Sequence, residues 1–149
     1  SNWSLMEQNV RVIKDLMTTQ GQWGGIHAVY NIYNATNFTE LAEFAEETKT
    51  TILWQNLFQP DYLDPFLHGR SVADLAAKEI EKFYASGLAK PSDRHFFDQA
   101  LKKYNETTNE TSDITTRFKN HILENETRYH TDQAGNFKKL WPELAHLCK

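Results

Sequence analysis

Asp61 and Asp64 are the two residues whose types and spacing come nearest to doing chemistry. They flank Tyr62-Leu63 just beyond an apolar run that ends near Phe58. Paired carboxylates at the exit of a strand can divide acid and base roles or hold a cation, and ligands of open α/β sheets collect at the carboxyl ends of strands. The flanking Pro60 and Pro65 offer a plainer account, since Pro-Asp and Asp-Pro are ordinary turn chemistry. The histidines, at 27, 68, 95, 121, 130 and 146, show no HxxxH or HxH spacing beside a carboxylate, so a metal site would need tertiary assembly. His27 differs from the rest in falling within a strand-like segment near Asn31.

Other nucleophile and ligand signals are missing. Cys148 is the single cysteine, so neither an intramolecular disulfide nor a CxxC or CxxxCxxC ligand set can form. It reads as a small apolar residue of a terminal helix, and this usage fits a reducing cytoplasm. GxSxG, P-loop and GxGxxG patterns are all missing, which removes the anchors of serine hydrolases and of phosphate or dinucleotide binders. The expectation is therefore no catalytic residue, no metal and no cofactor in the isolated chain.

The elements that would position these residues follow from periodicity and punctuation. Ser4-Leu5-Met6-Glu7 has the pattern of a capping box, and Val10, Ile13, Leu16 and Met17 extend a helix to about Thr18. Gln20 to Gly25, Trp23 included, breaks it. Ile26 to Tyr33 and Thr51 to Phe58 are β-branched and aromatic, and read as buried strands. Between them, Asn37-Phe38-Thr39-Glu40 resembles a cap, with Leu41, Phe44 and Ala45 forming an apolar stripe. Strand, helix, strand makes a βαβ unit, whose parallel pair should be joined by a right-handed crossover.

Alternation within these strands groups His27, Val29, Asn31 and Tyr33 on one face of the first, and Trp54, Asn56 and Phe58 on one face of the second. Such a mixed face suits either a ligand cavity or a packed core with satisfied hydrogen bonds. Two parallel strands alone leave open edges and little core. The chain is expected either to borrow strands from a partner or to belong to something larger.

The remainder reads as mainly helical. Ser71-x-x-Asp74 looks like the cap of a helix carrying Val72, Leu75, Ala76, Ile80 and Phe83, stopped by Gly87. Pro91-Ser92 opens a helix with Phe96, Phe97, Ala100, Leu101 and Tyr104. Residues 105–112 are polar and read as a loop between a βαβ core at 1–104 and C-terminal helices at 113–149 that pack on the same core. There Phe118, Ile122 and Leu123 mark one helix. After a loop from Thr131 to Gly135, Phe137, Leu140, Trp141, Leu144 and Leu147 mark another, restricted or kinked by Pro142. The fold class is α/β, a βαβ unit followed by a mainly helical half.

Composition sets the outer bounds. The 149 residues are 40% hydrophobic and 24% charged, enough for one packed core, with a net charge of −4 and no basic cluster beyond Lys102-Lys103 or Lys138-Lys139. Nucleic acid is a poor partner for such a surface. No apolar run approaches the roughly 20 residues of a membrane span, and no signal peptide opens the chain. Ser1-Asn2 fits a processed, cloned or truncated start. Asn-x-Ser/Thr sequons at 2, 34, 37, 105, 109 and 125 are what an Asn- and Thr-rich composition yields by chance.

Against this background, Asn2-Trp3-Ser4 with its helix, His27-Ala28-Val29-Tyr30-Asn31-Ile32-Tyr33-Asn34, Phe38 to Glu47, and Ile52 to Pro60 with Leu63-Asp64-Pro65 resemble the later part of a radical S-adenosylmethionine barrel. The tail from Asn136 to Leu144 is similar to the closing segment of twitch-domain members in phage and marine metagenomic sequences. The resemblance implies a partial (β/α) barrel whose relatives hold a [4Fe–4S] cluster on CxxxCxxC near the first strand. Both that triplet and the first strands are missing here. The two strands would correspond to late barrel strands, and Asn31, Asn34, Asn56 and Gln59 match positions that contact S-adenosylmethionine or substrate in relatives. The resemblance implies a C-terminal barrel fragment, inactive alone and completed by self-association or an amino-terminal partner chain. S-adenosylmethionine and the cluster would enter only in the completed form. A small non-enzymatic α/β interaction module, of phage origin, is the alternative.

Overall fold

The structure, a computed structural model, describes residues 2–22, 24–57, 59–108, 113–129 and 133–149, with no side-chain description at 2, 3, 133 and 134. Trp23, Phe58, the polar stretch from Asn109 to Ser112, and His130 to Asp132 lie outside the described residues. The order is α1 (Asn2–Thr19), β1 (Gly25–Tyr30), α2 (Phe38–Glu47), β2 (Thr51–Asn56), α3 (Arg70–Ala85), α4 (Pro91–Glu106), α5 (Asp113–Tyr129) and α6 (Gln133–Leu140). Short 3₁₀ turns occupy Asp61–Leu63, Pro65–Leu67 and Pro142–Cys148. The chain is mixed α/β but mostly helical, and its sheet among the described residues is the parallel pair β1–β2.

The register runs from Gly25 opposite Thr51 to Tyr30 opposite Asn56, so Ala28 faces Trp54. Strand alternation buries Ala28 and Tyr30 on one side, and there Tyr30, Ile52 and Trp54 join an aromatic core. Phe38 of α2 stacks on Phe97 of α4 with centroids 4.5 Å apart, and Tyr30 meets both rings edge-on at 5.9 and 5.4 Å. Phe83 of α3 closes the group against Phe38. Offset and edge-to-face rings suit the quadrupole of each partner, and they add to an already large apolar burial.

A second cluster holds Ile32, Val72, Phe118, Ile122, Phe137, Leu144 and Leu147. α3 is the wall between the two, because Val72 belongs to this cluster while Ala73, Ala76 and Ile80 belong to the first. The backbone after β1 joins in. Ile32 N–H donates to Leu63 O at 2.8 Å, and the Trp141 indole donates to Tyr33 O at 2.6 Å.

Several local expectations are corrected. The mixed strand face is split: His27 is exposed on the side away from the core, with Val29 sharing its parity, whereas Trp54 and Asn56 lie on the covered side. β1 ends at Tyr30 rather than Tyr33, because the Asn31 side chain takes Tyr33 N–H at 2.9 Å and turns the backbone out of the ladder. Ser4 is not an N-cap, since α1 already begins at Asn2, and the Glu7 carboxylate pairs with Arg11 at 2.8 Å instead of reaching backward.

Asn37 holds the N-cap position of α2 without a side-chain cap bond, and the buried Glu79 of α3 accepts Thr39 N–H at 2.9 Å in its place. Gly69, at φ 84°, precedes α3, so Ser71 and Asp74 fall inside the helix. Asp74 receives Tyr104 O–H at 3.0 Å and Arg70 Nε at 3.3 Å. At α2 a tertiary partner supplies what the local motif was expected to supply, whereas at α3 tertiary contacts occupy the residue that was expected to cap. α4 continues through Asn105 and Glu106, two residues into the expected loop. Pro142 divides the terminal segment into α6 and a 3₁₀ turn, as a residue without an N–H should. No helix among the described residues is long and apolar enough to cross a membrane.

Candidate functional site

The carboxyl ends of β1 and β2 meet the loop from Gln59 to Gly69, and this is where the candidate residues gather. Each goes to a different task. Asn31 and Asn34 finish β1: both side-chain amides donate to Val29 O, at 3.0 and 2.9 Å, while Asn34 Oδ1 accepts Asn31 N–H at 3.0 Å. Their polar atoms are committed to the backbone, which is what a short amide at a strand end does well. Gln59 is exposed.

The two acids are drawn to different helices. Asp61 accepts two parallel bonds from the Arg117 guanidinium of α5, at 2.8 and 2.9 Å, and this pairing holds its carboxyl below the usual carboxylate range. Asp64 Oδ1 accepts Phe66 N–H at 3.0 Å, capping the 3₁₀ turn, while Oδ2 pairs with Lys103 Nζ of α4 at 2.7 Å. The fork of Arg117 and the reach of Lys103 leave neither acid without a cationic neighbour.

What remains is a small polar cavity beneath the Asp64–Lys103 pair. Its volume is about 10 Å³, and Tyr30, Asn56, Asp64, Phe66 and Lys103 form its walls. That is room for one water at most. The Tyr30 ring is 4% exposed, and its hydroxyl has no hydrogen-bond partner. Burial first, and then the charges of Asp64 and Glu79, push its acidity far out of the ordinary phenol range, so it stays a neutral O–H. Outside the pair, Asp64, Phe66, Leu67, Lys103, Glu106 and Thr107 line an open cleft of about 450 Å³.

Two residues of this group, Tyr30 and Lys103, escape a reading by motif. Tyr30 was legible through its parity with Ala28, since one strand face must be the buried one. Lys103 carries no local signal, because its relation to Asp64 exists only once α4 packs beside the strands.

A second polar knot lies near the C-terminal helices. His68 is 1% exposed, and its Nε2 lies 2.7 Å from Tyr62 O and its Nδ1 3.2 Å from Thr115 Oγ1. A carbonyl can only accept, so Nε2 carries the proton and Nδ1 accepts from the threonine hydroxyl. Burial holds the His68 pKa below its ordinary value. This is a satisfied core histidine, fixing the Tyr62 turn against α5. Nearby, the Tyr62 hydroxyl and His121 Nδ1 stand 3.3 Å apart, and Asn125 meets His121 Nε2 at 3.1 Å.

Among the described residues no three His, Cys, Asp or Glu side chains converge as a metal-holding group. The strand-end site as it stands can orient a water or a small hydrogen-bonding group beneath an ion pair. It offers no nucleophile beside a base. In comparisons with known proteins, no family model matches the chain, and no curated protein or solved structure matches it.

Proposed function

We propose that this chain is the late-strand part of a larger α/β assembly, without chemistry of its own, and that another chain completes its sheet. The observation carrying this reading is the bare side of the sheet. Leu53 is 49% exposed, and Gly25, His27 and Gln55 beside it are exposed as well. Parallel strands are ordinarily covered on both faces, and among the described residues each strand has a single neighbour in the sheet. The assembly has the outline of a partial (β/α) barrel resembling radical S-adenosylmethionine proteins, and the partner supplies the earlier strands. The lone cysteine fits a reducing, cytoplasmic setting.

This chain's own residues do not fit an iron–sulfur cluster. Its one thiol, Cys148, is buried beside the second core, and burial raises its pKa away from the thiolate that such a cluster requires. The amides of Asn31 and Asn34 are already spent on the backbone. The cluster, and the S-adenosylmethionine it cleaves, belong to the completed assembly.

Light scattering during size exclusion, with Leu53→Glu as the variant, tests the proposal. The wild-type chain should associate through this face with itself or with co-expressed upstream barrel strands, and the charged variant should lose the association that runs through it. A wild-type chain that stays alone in both settings, with β1 and β2 amides strongly protected from hydrogen exchange, would sink it. Reconstitution with iron and sulfide should leave the isolated chain without cluster absorbance.

A further inference from the structure

α1 is turned the wrong way round for a helix with no partner. Leu5, Val12, Ile13 and Leu16 are 59, 52, 55 and 57% exposed, and Met6 joins them on the outer arc. The charged side chains do the opposite. Glu7, Arg11 and Lys14 lie half-buried on the inner arc, where Arg11 pairs with Glu7 and Glu47 at 2.8 Å each and lies 5.5 Å from the Phe44 ring centre. The fourth charge, Asp15, is exposed and flanks the apolar arc at its margin, so no charge lies among the apolar side chains themselves. An amphipathic helix normally shows the reverse arrangement, apolar stripe in and charge out.

We infer that the outer arc of α1 is a docking surface for a second copy of this chain, the two α1 helices packing in parallel. Three observations choose this occupant. Leu5, Asn9, Val12 and Leu16 follow the alternating four-and-three spacing of a coiled-coil seam, with Met6 and Ile13 beside it. Asn9 lies in that seam. In a parallel pair it meets its own counterpart, whose amide can both donate and accept, whereas an antiparallel pair would set it against Val12 and strand it.

The area also suffices. Five such side chains at roughly 100 Å² each give about 1,000 Å² between two copies, the lower bound for a specific interface. Charge argues against a lipid surface instead, because Glu7, Arg11, Lys14 and Asp15 cancel and offer no basic face to anionic headgroups. This surface is separate from the bare sheet face and stands whether or not that face has a partner.

Sedimentation velocity and light scattering on the full chain, from low micromolar to submillimolar, read the outcome. The wild type should dimerise with rising concentration. Val12→Glu with Leu16→Glu should weaken the dimer at least ~10-fold while leaving the melting temperature of the dilute monomer unchanged. Val12→Gln with Leu16→Gln serves as a milder pair should the charged one misfold. Asn9→Cys in a Cys148→Ser background should form a disulfide-linked dimer on oxidation, as parallel register requires. The inference falls if the wild type stays monomeric throughout, or if Leu53→Glu dissolves a dimer that the α1 variants leave intact. Binding to phosphatidylcholine–phosphatidylglycerol vesicles without dimerisation would overturn it too.

Discussion

The two faces of the β1–β2 sheet meet opposite surroundings. One face meets Phe38, Phe83 and Phe97 in a stacked and edge-on aromatic core. The other leaves Leu53 half exposed, with His27 and Gln55 beside it. The same six-residue strands carry both, because alternation sends neighbouring residues to opposite sides. The lesson is that α2, α3 and α4 stabilise the strands from one side only. What the open face contributes must come from its surroundings.

Unequal costs of substitution would sharpen the contrast. Phe97→Ala should destabilise by about 3–5 kcal/mol, since it removes a fully buried ring and leaves a cavity. Leu53→Ala, on the open face of the isolated chain, should stay within about 0.5 kcal/mol. Urea unfolding measures both, and equal losses would erase the distinction.

The closed side also depends on a buried acid. Glu79→Ala should lose about 1–2 kcal/mol, because Thr39 N–H at the start of α2 is left without its acceptor. A loss no larger than that of Leu53→Ala would mean that α2 is held by its apolar stripe alone.

Acid should act on the second core. The folded state holds His68 below its ordinary pKa, so below roughly pH 6.5 the unfolded chain takes up a proton that the folded chain refuses. Its contribution is whole above that pH and declines as pH falls through it. Urea midpoints at mildly acidic and neutral pH should differ in the wild type, and that part of the difference should vanish in His68→Gln.

A small effect is also expected at the strand ends. Lys103→Ala should cost less than about 1 kcal/mol, because Lys103 is half exposed and solvent screens its bond to Asp64. A larger loss would mark the ion pair as the roof of the small cavity at Tyr30.

Much of this was legible beforehand, and the misses share a cause. The two strands, the helix between them and the Pro142 break follow from side-chain type and local spacing. Asn37 holds the expected N-cap position of α2, but Glu79 takes the amide its side chain was expected to accept; the start of α3 was misassigned, and there Asp74 bonds Tyr104 instead of capping. Asp61 and Asp64 could be seen as a pair. That Arg117 and Lys103 would claim one each could not, since those partners come from helices far along the chain.

By itself, then, the sequence determined the parallel βαβ unit, the helical second half and the lack of a cluster-binding cysteine set. These depend on residue identity and on periods of two and 3.6, which are local quantities. The tertiary structure alone decided which strand face is covered, which charge meets which acid, and that α1 turns its apolar arc outward. Those are choices among packings that the local pattern leaves nearly equal. Contacts between distant segments settle them.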